Sequence, residues 1–144
     1  MILLTKILHF EMAHAIHNYP GDCKNIHGHS YELHITLSGN HDQNDYIPSP
    51  GFMIDFKEIK KLVKAAVIDR FDHKLSLSLD FLHDHPNLST HDNLLTWECE
   101  PTAENILIRT HQLLHNQLPP GIRLTHLKLY ETKDSYAEWK EDIN

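Results

Sequence analysis

Residues 27–38 read HGHSYELHITLS and contain the most regular pattern of the chain. From residue 29 to residue 38, apolar and polar side chains alternate, which predicts a β-strand with one covered face. The side chains on the covered parity belong to His29, Tyr31, Leu33, Ile35 and Leu37. Residues 3–14 show a similar period, apart from Lys6, and end at His14. The two segments therefore predict an antiparallel pair of strands at the beginning of the fold.

Two helices are predicted downstream of these strands. Residues 39–53 are rich in turn-forming residues, and Asp55 then has the character of an N-cap, with Glu58 three residues later. The apolar positions behind Asp55 fall on one helical face, and they are Ile59, Leu62, Val63, Ala66 and Val67. A second helix is predicted to begin near Pro101 and to end before Pro119. Each helix thus has one face to bury.

Alternation returns over residues 123–132 and in a short last strand from Tyr136 to Trp139. The predicted order is therefore β-β-α-α-β-β. This order indicates an α+β fold in which a four-stranded antiparallel sheet carries two helices on one face. Residues 75–100 are predicted to form a loop with at most one helical turn. The chain shows no repeat and no linker, so residues 1–144 are predicted to form a single domain.

The composition is that of a globular protein, with 40% hydrophobic residues in 144. A formal net charge of -7 argues against nucleic acid as a partner, because phosphate binding requires a basic face. Neither a signal peptide nor a membrane-spanning stretch is recognisable in the sequence. Cys23 and Cys99 are too few for a disulfide framework. We therefore predict a cytoplasmic protein with free thiols and no membrane partner.

Three histidines are placed to share one metal ion. His27 and His29 are two residues apart at the start of a strand and share a face, and His14 ends the preceding strand on its apolar parity. Three neutral imidazoles suit Zn²⁺ and leave a fourth position open, which is typical of a catalytic site. The chain contains 14 histidines, so close pairs such as His83 and His85 also arise by chance. Ordinary histidines flanking Gly28 are the alternative interpretation.

Candidates for proton transfer occur at two places. Cys23 lies four residues before His27, and a thiol close to a metal site and a lysine is more easily ionised. Asp72 and His73 are adjacent after the first helix. They form a general acid/base unit if the backbone directs both side chains the same way. The alternatives are that Cys23 is a small loop residue without a role and that His73 stabilises the end of a helix.

Two glutamates are candidates for substrate binding. Glu131 lies on the inward parity of its strand, where a carboxylate needs partners, and an amino-pyrimidinone edge supplies paired donors. A strand-end glutamate that reaches solvent is the alternative. Glu104 lies in the first turn of the second helix, where the helix dipole alone explains a carboxylate.

Six short motifs occur in a fixed order along almost the whole chain. They are Phe10-Glu11-Met12-Ala13-His14, Cys23 followed by His27-Gly28-His29, Ile54-Asp55-Phe56, Asp72-His73, Pro101-Thr102-Ala103-Glu104-Asn105 and Glu131-Thr132. In this order the motifs resemble those of the 6-pyruvoyltetrahydropterin synthase family. Two departures are visible. Phe71 stands where the family usually has leucine, and residues 76–100 form a longer segment than usual.

The resemblance implies a role for each matched residue. The implied zinc ligands are His14, His27 and His29. The implied proton-transfer group is Cys23, as general base, with Asp72 and His73. The implied pterin contacts are Glu131, as anchor, and Glu104 nearby. The implied architecture is the tunnelling fold, in which subunits join their sheets into a barrel. Active sites then lie between the subunits of a homo-oligomer, commonly a hexamer built as a dimer of trimers.

The substrate implied by the resemblance is 7,8-dihydroneopterin triphosphate. A base removes a proton from the side chain, whose hydroxyl pKa is lowered by zinc, and triphosphate leaves. In the queuosine branch of the family, a carbon–carbon bond then breaks to give 6-carboxytetrahydropterin and acetaldehyde. The biopterin branch retains the three-carbon chain as 6-pyruvoyl. The short spacing between Cys23 and His27 resembles the queuosine branch.

Two other classes of function remain open at this stage. A hydrolase would use Cys23 as nucleophile with His73 and Asp72. A histidine-rich metal-binding protein would have no catalytic activity. The hydrolase would not require zinc, and the metal-binding protein would not require the Cys23 thiol.

Overall fold

The computed structural model of the chain describes residues 1–42 and 44–142. Its strands are β1 (Leu3–His14), β2 (His27–Gly39), β3 (Lys74–Ser78), β4 (Leu94–Trp97), β5 (Ile122–Thr132) and β6 (Ser135–Lys140). They form one sheet in the order β4-β3-β1-β2-β5-β6. The pairs β1–β2, β2–β5 and β5–β6 are antiparallel, whereas β3 runs parallel to both β1 and β4. The sheet is therefore mixed.

Two of the helices begin where the sequence predicts. Asp55 accepts a hydrogen bond from the backbone N–H of Lys57 and caps α1 (Phe56–Val63), which continues through a π-helical turn at Lys64–Ile68 into α2 (Asp69–Phe71). Thr102 caps α4 (Ala103–Leu114), and α3 (Leu79–Asp84) lies between. Within residues 1–42 and 44–142, no helix has the length and apolarity needed to cross a lipid bilayer.

One face of the sheet carries the main core. The even-numbered side chains of β1 from Leu8 onward and the odd-numbered side chains of β2 from Tyr31 to Leu37 are buried on this face, and they pack with the apolar faces of α1 and α4. Fully buried members of this core include Phe10, Tyr31, Ile35, Ile59 and Ile106. The side chains on the predicted buried faces of the strands and of the first helix therefore pack in the same core.

The prediction of a four-stranded antiparallel sheet is wrong, because residues 75–100 contain two strands and a helix instead of a loop. β3 and β4 extend the sheet beyond β1, and α3 covers a second, smaller core with Leu77 at its centre. The two buried serines of β3 make this strand hard to recognise in the sequence. Ser76 donates a hydrogen bond to the sulfur of Met12, and Ser78 caps α3 by accepting from the Phe81 N–H.

Replacement of Leu77 by alanine tests this smaller core. Leu77 is fully buried, so Leu77→Ala is expected to lower the free energy of unfolding by about 2–5 kcal/mol. Leu79→Ala is the matched control, because Leu79 is exposed and its replacement is expected to change stability by less than about 0.5 kcal/mol. Urea denaturation at a fixed protein concentration measures both values. Equal effects of the two replacements would contradict a buried β3.

Candidate metal centre and active site

The register between β1 and β2 brings the three predicted metal ligands together. His14 lies directly opposite His27, and His29 follows two residues along β2 on the same face. The ring centroids are 4.6 Å apart for His14 and His27, 5.1 Å for His14 and His29, and 4.9 Å for His27 and His29. His14 is buried, and the other two are partly exposed at the end of the sheet.

Backbone carbonyls orient two of the rings. Nδ1 of His14 lies 2.7 Å from the carbonyl oxygen of Pro101, and Nδ1 of His27 lies 2.7 Å from that of Asn25. A carbonyl only accepts hydrogen bonds, which assigns the proton to Nδ1 and leaves the Nε2 lone pair for a metal. The two Nε2 atoms are 3.0 Å apart. Two facing lone pairs at this distance repel each other unless a cation or a proton lies with them, so the donor set fits a metal ion.

Glu131 belongs to the same cluster. Its Oε1 atom is 2.8 Å from Nε2 of His29 and 3.1 Å from Nε2 of His14, and the ligand atoms of the four residues lie within 4.8 Å of one another. The close contact with His14 and the other nearby imidazoles holds the pKa of Glu131 below its usual value. Burial lowers the pKa of His29, which favours the neutral ligand form. The inward direction of Glu131 follows from strand parity, but its contact with the imidazoles does not.

Cys23 lies in a 3-10 turn, Asp22–Lys24, between β1 and β2. The backbone N–H of Ile16 donates to the carbonyl of Cys23 at 2.8 Å and holds this turn against the end of β1. The turn thus lies at the end of the sheet where His14 pairs with His27. The buried Tyr31 ring lies next to the imidazoles, with its centroid 5.5 Å from that of His29 and 6.3 Å from that of His14, and burial raises the pKa of its phenol. Sequence reasoning assigned Tyr31 to the core alone and did not predict this position next to the cluster.

Asp72 and His73 form the pair that the sequence predicts. Asp72 Oδ1 accepts the N–H of Glu11 at 2.9 Å and lies 3.0 Å from Nδ1 of His73. The Glu11 N–H is the main cause of a lowered pKa of Asp72. His73 has a φ of 59°, a left-handed conformation that is costly for a residue other than glycine. Its side chain is 75% exposed. The side chain therefore points outward, and no hydrogen bond to its Nε2 is present among residues 1–42 and 44–142.

The Asp72–His73 pair borders a cleft of about 510 Å³. His73, Glu11, Ala13 and Ser30 line this cleft, and so does the predicted metal ligand His29. Glu11 and Ala13 have the parity opposite to His14, so these two side chains lie on the sheet face away from the helices. Among the polar contacts of the described residues, none joins Asp72 or His73 to Cys23. One chain thus brings the imidazoles and Glu131 together but not the two proton-transfer candidates.

Glu104 lies in the first turn of α4 and is exposed. The capping residue Thr102 and the carbonyl of Pro101, which binds His14, come just before it in the chain. Glu104 is therefore connected to the metal centre through its loop, and no direct polar contact between Glu104 and the cluster is present among residues 1–42 and 44–142.

A protein-family model described as 6-pyruvoyl tetrahydropterin synthase matches residues 3–142. The chain belongs to this family. Among curated relatives, a 6-carboxy-5,6,7,8-tetrahydropterin synthase of Rickettsia typhi is 34% identical, over 96% of this chain and 99% of its own length. The prediction of a pterin synthase is therefore confirmed at the level of the family.

Solved structures support the fold assignment. An uncharacterized protein from Wolinella succinogenes superposes with a TM-score of 0.78 at 17% identity, covering 98% of both chains. The 6-pyruvoyl tetrahydropterin synthase of Caenorhabditis elegans superposes with a TM-score of 0.69 at 22% identity, covering 98% of this chain and 96% of that one. The subunit thus has the tunnelling fold, as predicted, with six strands instead of four.

Removal of one imidazole tests the metal centre. His14→Ala removes a metal ligand and is expected to weaken zinc binding by more than about 100-fold. Loss of a residue that only contacts a ligand costs less, about 10- to 100-fold. His34→Ala is the matched control, because His34 lies on the opposite face of β2 and bonds Glu32. Competition with a chromophoric chelator measures both affinities. Full zinc occupancy in the His14→Ala variant would show that the ligand assignment is wrong.

Proposed function

We propose that the protein is a zinc-dependent 6-carboxy-5,6,7,8-tetrahydropterin synthase. It converts 7,8-dihydroneopterin triphosphate and one water molecule into 6-carboxytetrahydropterin, acetaldehyde and triphosphate, a step toward queuosine. The observation that carries the proposal is the convergence of His14, His27 and His29 in a chain of this family. The nearly full-length similarity to the Rickettsia typhi protein favours the 6-carboxy product. We place the reaction in the cytoplasm, where free thiols such as Cys23 persist.

The imidazole cluster is proposed to hold zinc. When bound there, zinc supplies Lewis-acid chemistry that lowers the pKa of the substrate side-chain hydroxyls. His14 and His27 present Nε2 because backbone carbonyls hold their Nδ1 atoms. Glu131 and Glu104 are proposed to bind the pterin, with the Glu131 carboxylate accepting the paired donors of the amino-pyrimidinone edge. The inward direction of Glu131 next to the cluster supports this position for the ring.

Cys23 is proposed to be the general base, and the Asp72–His73 pair is proposed to complete proton transfer from a neighbouring subunit. Among the described residues of one chain, no polar contact joins Cys23 to Asp72 or His73, and this separation supports the division. β4 and β6 are the edge strands of the sheet, and edge strands expose unpaired backbone groups that another sheet can pair. We therefore propose a homo-oligomer, a hexamer formed as a dimer of trimers, with active sites between subunits. The same separation counts against a hydrolase that uses Cys23 and His73 of one chain.

Product analysis tests the reaction. Incubation of the zinc-loaded protein with 7,8-dihydroneopterin triphosphate is expected to yield 6-carboxytetrahydropterin and acetaldehyde, both identified by mass. A 6-pyruvoyl product would retain the family and the roles of the residues but would replace the queuosine branch by the biopterin branch. The absence of any product would contradict the proposed reaction, leaving only the fold and the metal cluster.

Replacement of Cys23 tests the general base. Cys23→Ala is expected to lower kcat by about 10²- to 10⁴-fold, the range for a general base, while zinc content is unchanged. Cys99→Ala, which removes the other free thiol, is the matched control with normal turnover. A fully active Cys23→Ala variant would refute the assignment.

Mixing of two inactive variants tests the site between subunits. Oligomers reassembled from Cys23→Ala and His73→Ala chains regain partial activity if each site takes Cys23 from one chain and His73 from another. Sites that take both residues from the same chain gain nothing from mixing, and that result would contradict the proposed division.

A further inference from the structure

The loop between β1 and β2 carries Cys23, and two consecutive backbone N–H groups hold the beginning of this loop. The N–H of Ile16 donates to the carbonyl of Cys23 at 2.8 Å. The N–H of the next residue, His17, donates to Oε1 of Glu100 at 2.6 Å. Glu100 is 83 residues further along the chain than His17. Its carboxylate therefore connects the Cys23 loop to a distant segment, at the residue next to the one that bonds Cys23.

The backbone of Glu100 is itself fixed at the start of α4. Its carbonyl accepts hydrogen bonds from Nδ2 of Asn105 and from the N–H of Thr102, both at 2.9 Å. The carbonyl of the next residue, Pro101, lies 2.7 Å from Nδ1 of His14. Two adjacent residues thus hold the loop through a side chain and an imidazole of the metal cluster through a backbone oxygen.

We infer that Glu100 is a positioning residue for Cys23. The inference rests on the proposed function, in which Cys23 is the general base. A general base must lie within hydrogen-bond reach of the proton that it removes. A displacement of about 1 Å can lower a rate about 100-fold. Glu100 acts through the backbone that holds the Cys23 turn, and it gives the long segment of residues 76–100 a role in the reaction.

Asp84 makes a second contact from the same segment, but a weaker one. Its Oδ2 atom is 2.7 Å from Nε2 of His17, and this hydrogen bond raises the pKa of the imidazole. The Asp84 side chain is 54% exposed, and exposed ion pairs stabilise a protein little. The contact of Glu100 with the His17 N–H is partly buried, and a carboxylate that accepts a backbone N–H forms one of the stronger hydrogen bonds. The larger effect is therefore expected from Glu100.

Hydrogen exchange of the loop tests the contact directly. Glu100→Ala is expected to accelerate amide exchange in residues 15–26 about tenfold or more, the factor for loss of a hydrogen bond to a charged acceptor. Glu100→Gln retains a side-chain oxygen that accepts the His17 N–H, so exchange close to normal is expected. Glu98→Ala is the matched control, because Glu98 is an exposed glutamate two residues earlier. Mass spectrometry of peptic fragments measures all three variants.

Turnover tests the consequence for Cys23. Glu100→Ala is expected to lower kcat about 10- to 100-fold and to leave KM and zinc affinity unchanged, because the backbone contacts around Pro101 remain. Glu100→Gln is expected to restore most of the rate. Addition of Glu100→Ala to Cys23→Ala is expected to cause no further loss, because a residue that acts through the thiol has no effect once the thiol is removed.

Three results would overturn the inference. Unchanged exchange of residues 15–26 in Glu100→Ala would show that the carboxylate does not hold the loop. A further loss of rate in the Cys23→Ala background would show that Glu100 acts by another route. The third result requires no variant. The His17 N–H of the unmodified protein is expected to exchange slowly, although it lies outside the strands, and fast exchange would contradict its bond to Glu100 even if Glu100→Ala fails to fold.

The exchange measurements are independent of turnover. If the 6-carboxy product forms and Glu100→Ala is fully active, the inference fails and the proposed function stands. If the unmodified protein forms no product from 7,8-dihydroneopterin triphosphate, the proposed reaction fails, and exchange alone decides whether Glu100 holds the Cys23 loop.

Discussion

The antiparallel register between β1 and β2 places His14 opposite His27, and the metal cluster and the main core both depend on this pairing. A shift of one residue would turn every side chain of one strand to the other face of the sheet. The core resists such a shift, because Phe10 stacks on Tyr31 with ring centroids 4.9 Å apart on the same buried face. The imidazoles are therefore held in position mainly by the apolar packing next to them.

The sheet also separates the chemical groups of one chain. His14 has the parity of the sheet face that packs against the helices, whereas Glu11 and Ala13, which line a cleft with His73, have the opposite parity. The left-handed backbone at His73 costs of order 1–3 kcal/mol, and such conformations persist only where the surrounding structure determines them. Here both backbone and side-chain contacts to Glu11 hold the turn, since the His73 N–H donates to the Glu11 carbonyl at 2.6 Å. This arrangement agrees with the proposal that His73 acts in the active site of a neighbouring subunit.

Much of the main core follows from local patterns. The period of two in β1 and β2 identifies the buried parity, and Asp55 and Thr102 mark the beginnings of two helices. The strand of residues 74–78 was missed although its leucines and serines also alternate. Serine is common in loops, and the burial of Ser76 depends on its neighbour β1, which is distant in the sequence.

The sequence by itself determined the buried parity of each long strand, the starts of two helices and the three histidines that could share a metal ion. Through the order of its motifs, it also determined the family. These features depend on residues that are close in the chain or on the identity of the side chains. Only the tertiary structure decided that β3 and β4 extend the sheet, that Glu131 contacts His14 and His29, and that His73 lines a cleft with Glu11 and His29. Each of these depends on which distant segments become neighbours, and periodicity contains no information about pairing partners.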